Sequence, residues 1–140
     1  MLLSLITPER TLIDREPITR ITLPTTTGEI TVLNNHEPLF TLLKPGEVVI
    51  EHDGKIRPLV ISGGFLEIAG SSAIILADTA EHVHELDIKR AEEAKKSAEE
   101  LLKSKHASDV LYSALAGRIE KELARIKVGR KYKHLKPPTP

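Results

Sequence analysis

At Leu86 this 140-residue chain changes both its hydrophobic period and its charge sign, so no single layer of structure can run through that point. Residues 1–86 carry six Lys/Arg against twelve Asp/Glu, a balance of −6, and read as short apolar runs broken by Gly and Pro. Residues 87–140 reverse the sign, with fourteen Lys/Arg against eight Asp/Glu, a balance of +6, and are rich in Ala, Glu, Lys and Leu. The formal net charge of zero therefore hides a dipole between two dissimilar parts. Two domains are expected, 1–86 and 87–140.

The first part reads as strands. Leu2–Thr7, Thr11–Asp14, Ile18–Leu23, Glu29–Leu33 and Leu39–Leu43 are short, rich in Leu, Ile and Thr, and punctuated by Pro8, Pro17, Pro24, Gly28 and Pro38. Ile18–Leu23 alternates almost two-fold, which fits one packed and one wet face of an antiparallel sheet. Asp53-Gly54, between Val48–Ile50 and Ile56–Ile61, suits a type I′ turn, where both central residues need positive φ. Pro58 predicts an edge position or a bulge. Gly63-Gly64 permits a sharp change of direction before Phe65–Ala69 pairs with Ala73–Ala77. About ten short strands with no crossover helix among them predict an N-terminal antiparallel β-sandwich or flattened barrel.

From Asp87 the period becomes helical. Ile88, Ala91, Ala94, Ala98, Leu101 and Leu102 recur three or four apart, with Asp87 as N-cap and an end around Lys103–Ala107. Ser108-Asp109 can cap a second helix whose stripe is Val110, Leu111, Ala114, Leu115, Ile119, Leu123 and Ile126, and Gly129 is expected to stop it. The short link predicts a C-terminal antiparallel two-helix hairpin, with a frayed tail over Lys136–Pro140. Ala91, Ala94, Ala98 and Ala114 on the facing sides allow close approach but bury little apolar area at roughly 25 cal/mol per Å², so docking should be weak and reversible.

Several function classes are poorly served by this composition. The chain has no cysteine, which excludes disulfides and thiolate zinc sites. Aromatics are 3% with no Trp, so neither a base-stacking platform nor a large aromatic hot spot is expected. The apolar run at Met1–Ile6 is too short for a signal peptide, and no run approaches the ~18 apolar residues of a membrane span. His82 and His84 lack a positioned third ligand, so no metal site is expected. Gly63-Gly64 has neither the spacing nor the Lys-Ser/Thr of a phosphate loop, and Ser62-Gly63-Gly64 lacks a nucleophile elbow. Catalysis is unsupported and binding is favoured. The basic run Arg118, Lys121, Arg125, Lys127, Arg130, Lys131 and Lys133 reads either as a solvated helix face or as a surface aimed at an anion. Two rival readings are a stand-alone sandwich with a basic tail for nucleic acid and a small β-sandwich enzyme.

The whole chain resembles a family. Gly28-Glu29-Ile30 with Val32-Leu33, His36-Glu37-Pro38-Leu39, Leu43-Lys44-Pro45-Gly46, Ser62-Gly63-Gly64-Phe65-Leu66-Glu67 and Leu76-Ala77-Asp78-Thr79-Ala80-Glu81, in that order and spacing, are similar to the epsilon subunit of bacterial F-type ATP synthases, called delta in mitochondria. The resemblance implies a non-catalytic central-stalk subunit beside gamma, touching the polar loops of the c-ring, that couples proton-driven rotation to ATP synthesis. It implies a place at the cytoplasmic face of the inner membrane, peripheral to it, with no nucleic-acid partner and no required cofactor. The helices of the family are compact, or extend along gamma into the alpha and beta subunits and inhibit hydrolysis. Glu29 and His36 would lie toward gamma and the c-ring, while Arg118, Lys121 and Arg125 would meet an acidic segment of beta. Leu86-Asp87-Ile88-Lys89-Arg90-Ala91 fits a helix-start motif tied to regulatory ATP, implying a site at Asp87, Arg90 and Arg125. Glu81 matches there too, whereas Ser97 and Lys121 stand where arginines help hold phosphate, and Lys lacks the bidentate fork of Arg.

Overall fold

A computed structural model describes residues 1–104 and 108–135, and of Asp109 the backbone alone. The chain divides into two compact units, Met1–His82 and Val83–Pro140. The division falls before the Leu86 boundary expected from the sequence, because Val83–Glu85 forms a 3₁₀ turn whose Val83 carbonyl accepts the Leu86 N–H at 3.1 Å.

The first unit holds ten strands: β1 Leu2–Ile6, β2 Thr11–Pro17, β3 Arg20–Thr25, β4 Gly28–Leu33, β5 Leu39–Leu43, β6 Gly46–His52, β7 Lys55–Ile61, β8 Gly64–Ala69, β9 Ser72–Ala77 and β10 Ala80–His82. One layer runs β4-β3-β6-β7-β10 and the other β5-β8-β9-β1-β2, joined where Thr25 pairs with Leu43. All these ladders are antiparallel except β1 with β9, which is parallel. No hairpin dictates the relative direction of two strands so distant in sequence, and that pair departs from the wholly antiparallel expectation.

Alternation places the core between the layers. Leu66 and Ile68 of β8, Ile75 of β9, Leu3 and Leu5 of β1 meet Ile21 and Leu23 of β3, Val48 and Ile50 of β6, and Leu59 and Ile61 of β7 in one buried cluster. Asp53 and Gly54 take φ of 51° and 73°, as a type I′ turn requires. Pro58 lies one residue beyond the β10 ladder, which pairs only Leu59–Ile61, so its missing N–H falls at a local edge. At Gly64 φ is 145° and a Cβ would stand 2.0 Å from the Leu76 carbonyl oxygen, so only glycine fits.

The second unit contains that 3₁₀ turn, α1 (Ile88–Ser104) and α2 (Asp109–Lys131). Asp87 Oδ1 accepts the Arg90 N–H at 3.0 Å, and Ser108 Oγ accepts the Leu111 N–H at 3.3 Å, so both caps fall where the sequence put them. The two helices pack on each other, and Ala91, Ala98, Leu115 and Ile126 are buried. Two expectations need correction. Ala114, Val110, Leu111 and Leu123 are exposed, so four of the seven positions of the expected stripe face water. Gly129 does not stop α2, which continues to Lys131 before the Tyr132 N–H bonds to the Val128 carbonyl at 3.2 Å. The expected tail Lys136–Pro140 and the link residues Lys105–Ala107 lie outside the described residues.

Candidate interaction surfaces

The outer faces of the two sandwich layers differ in character. On the first layer, neighbouring strands are bridged by polar pairs: Arg20 to Glu51 at 2.6 Å and Thr22 to Thr31 at 2.9 Å. On the second layer Phe40 and Leu42 of β5, Phe65 of β8, and Ile74 and Leu76 of β9 all face solvent. The register makes them one patch, since Leu42 pairs with Phe65, Phe65 with Leu76, and Glu67 lies between Phe40 and Ile74. Phe40 and Phe65 stack with ring centroids 5.7 Å apart.

Such a cluster gains nothing from water, and contiguous exposed apolar surface rimmed by polar residues marks an interaction site. Few as its aromatics are, the chain's two phenylalanines meet on the surface. A sequence signal existed. Leu39–Leu43 and Ala73–Ala77 carry apolar residues on both parities, which a strand with one wet face does not need.

The residues singled out from the sequence fall in separate places. Glu29 is exposed at the start of β4, while His36 lies half-buried beyond its end, with Nδ1 2.6 Å from the Glu37 carbonyl oxygen. Strand rise alone puts Glu29 about 13 Å from Leu33, so the two belong to opposite ends of β4. Asp87 and Arg90 share the first turn of α1, where the Asp87 carboxylate serves as the cap. Arg118, Lys121 and Arg125, three and four residues apart, run along one side of α2. Arg118 and Lys121 are exposed, whereas Arg125 is half-buried and its Nη1 lies 3.0 Å from Glu122 Oε1.

Glu122 was not singled out from the sequence, yet it is only 7% exposed. A buried carboxylate requires a cationic or hydrogen-bonding partner, and Arg125 three residues on supplies one. An anion approaching Arg125 must compete with it. A second apolar stripe also emerges on α2: Tyr112, Ala116, Ile119 and Leu123 recur four, three and four apart and are exposed or half-exposed. Among the described residues no group of three or more His, Cys, Asp or Glu could hold a metal ion, and no helix is long and apolar enough to cross a membrane.

Two family models match the chain, described as the beta-sandwich domain of the ATP synthase delta/epsilon chain over residues 1–83 and its long alpha-helix domain over residues 84–129. The chain is 38% identical over 126 residues to the ATP synthase epsilon chain of Desulforamulus reducens, covering 89% of this chain and 93% of that one. It is 36% identical over 129 residues to the ATP synthase epsilon chain of Dehalococcoides mccartyi, covering 92% and 91%. Among solved structures it superposes with a TM-score of 0.78 and 26% identity on a chain of the Euglena gracilis mitochondrial ATP synthase OSCP/F1/c-ring structure, covering 89% of this chain and 78% of that one. A chain of the Tetrahymena thermophila mitochondrial ATP synthase central stalk and c-ring shares the fold, with a TM-score of 0.62 at 14% identity and coverage of 91% and 95%.

Proposed function

Because this chain belongs to the ATP synthase delta/epsilon family, we propose that it is a non-catalytic central-stalk subunit whose sandwich binds gamma and whose hairpin regulates ATP hydrolysis. The observation that carries this reading is the uncovered apolar face of β5, β8 and β9. A permanent protein partner is the simplest reason to keep Phe40 66% exposed, because an aromatic side chain of about 200 Å² would then bury roughly 130 Å² and contribute about 3 kcal/mol on docking. Gamma is the partner we assign to that face. The exposed turn at Thr26-Thr27, with Glu29 at the start of β4, would meet the polar loops of the c-ring, and through the complex the chain would sit peripherally at the cytoplasmic side of the membrane.

The thin hairpin supports the regulatory half of the reading. The seam sets only a few large side chains of α2, Leu115, Ile126 and Val128, against the small Ala91 and Ala98 of α1, and α2 keeps a second stripe for another partner. In the extended state that stripe would lie against gamma, with Arg118, Lys121 and Arg125 directed at an acidic segment of beta. For a regulatory ATP we propose Asp87, Arg90 and Arg125, on the match of Leu86–Ala91 to the helix-start motif; ATP would compete with Glu122 for the Arg125 guanidinium.

Leu42→Asp combined with Leu76→Asp tests the docking face. Both side chains are exposed, so the melting temperature of the free chain should stay within a few degrees of wild type while affinity for gamma falls at least about 100-fold. Unchanged affinity for gamma would refute the assignment.

A further inference from the structure

The two glycines of α2 sit in opposite surroundings. A methyl group at Gly117 would meet nothing within 4 Å, whereas one at Gly129 would stand 2.7 Å from Ile88 Cγ1, 3.0 Å from Ile88 Cδ1 and 3.8 Å from Leu86 Cδ1. Neither glycine takes a positive φ, so Gly129 is required by space and not by backbone conformation. Ile88 is the first residue of α1, and Gly129 lies in the last turn of α2, so the contact closes the root of the hairpin. Close by, Arg130 pairs with Glu92, but both side chains are substantially exposed and such a pair adds little.

We propose that insertion of Ile88 against Gly129 is the lock that sets the balance between compact and opened hairpin. Glycine weakens a helix interior relative to alanine whether or not that helix is docked. That cost is common to both states and cancels. The close fit of Ile88 exists only in the compact state, and only such differential terms move an equilibrium. A cavity of about 270 Å³ adjoins the contact, lined by Leu86, Ile88, Gly129, Tyr132 and Leu135 among others, so on that side no other side chain backs Ile88. Rotation about χ2 can carry Cδ1 of Ile88 into that cavity. Cγ1 moves only if the stiffer χ1 of the β-branched side chain changes, so a side chain at position 129 either drives Ile88 off its rotamer or separates the helix ends, and the fit is lost in both cases.

The lock rests on the proposed regulatory reading only for its effect on hydrolysis, and the two are separable by experiment. Hydrogen exchange across α1 and α2 is measured in the full chain for Gly129→Ala, Gly129→Leu, Gly117→Ala and Ile88→Ala, and for Gly129→Ala combined with Ile88→Ala. The expected result is exchange at least tenfold faster for Gly129→Leu and faster for Gly129→Ala. Gly117→Ala should match or slow the wild-type rate, and Ile88→Ala should restore part of the protection lost in Gly129→Ala. Far-UV circular dichroism should show undiminished helix, since both substitutions favour a helix over glycine. Wild-type exchange in both Gly129 variants, faster exchange in Gly117→Ala, or absence of restoration in the double variant overturns the lock. If the Gly129 variants open the hairpin yet inhibit the reconstituted catalytic head as wild type does, the lock stands and the regulatory reading fails.

Discussion

Replacing Arg125 by alanine should loosen the hairpin before it reports on any contact with beta. Glu122 is 7% exposed and its Oε1 lies 3.0 Å from Arg125 Nη1, so the substitution leaves an enclosed carboxylate without its guanidinium. Removing one partner of a fully buried pair costs roughly 3–5 kcal/mol. The Arg125 side chain is 31% exposed, so solvent screens much of that, and a cost of about 1.5 kcal/mol is expected. The penalty exists only where Glu122 is enclosed, in the compact state, so the opened population should rise about tenfold. Hydrogen exchange of α2 amides in the full chain measures it. Glu122→Leu added to Arg125→Ala should return the rate toward wild type, because an apolar side chain needs no cation. Exchange in Arg125→Ala within twofold of wild type, or no recovery in the double variant, would refute the reasoning. Arg125→Ala therefore acts on inhibition in two opposed ways, opening the hairpin while removing a cation. Arg118→Ala with Lys121→Ala, both at exposed positions, gives the cleaner test of the proposed contact with beta and should relieve inhibition.

Three further outcomes are expected. A chain ending at Glu85 should fold and bind gamma with full affinity while losing inhibition of hydrolysis, measured with a reconstituted catalytic head, because the buried cluster of the sandwich is complete without the helices. Gly64→Ala should lower the stability of the first unit by more than about 3 kcal/mol in denaturant unfolding, because its Cβ meets backbone 2.0 Å away that cannot yield. Raising salt from about 0.1 M to about 1 M should weaken inhibition several-fold, since Arg118 and Lys121 are exposed and screening acts on such charges.

Local chemistry made much of this fold legible. Asp53-Gly54 declares its turn because positive φ at two successive positions is a property of the dipeptide, and Asp87 and Ser108 declare their helix starts by the same locality. What the sequence hid was tertiary. Gly129 reads as a helix stop by propensity, yet it does not take a positive φ and α2 runs through it to Lys131. β10 is three residues long and exists only because Leu59–Ile61 offers it an edge. Alternation in β8 puts Phe65 on the side of Glu67 and opposite Leu66 and Ile68, but does not put it beside Phe40; that follows from the pairing of β8 with β5. Glu122 looks like any surface glutamate until the placement of α2 encloses it.

The two kinds of uncovered apolar surface differ as a permanent and a conditional interface should. Phe40, Phe65, Leu42, Ile74 and Leu76 stand on strands paired on a rigid core, so a partner there meets a preformed patch and loses little conformational freedom on docking. Tyr112, Ala116, Ile119 and Leu123 stand on a helix whose buried side carries Leu115, Ile126 and Val128 opposite the small Ala91 and Ala98 of α1, so a partner there must compete with α1 for how α2 is placed. The first arrangement favours tight, constant attachment, and the second a population that a modest differential affinity can shift. Substitutions on the sheet face should therefore act on assembly and leave the compact hairpin unchanged. Substitutions at Gly129, Ile88 or Glu122 should do the reverse.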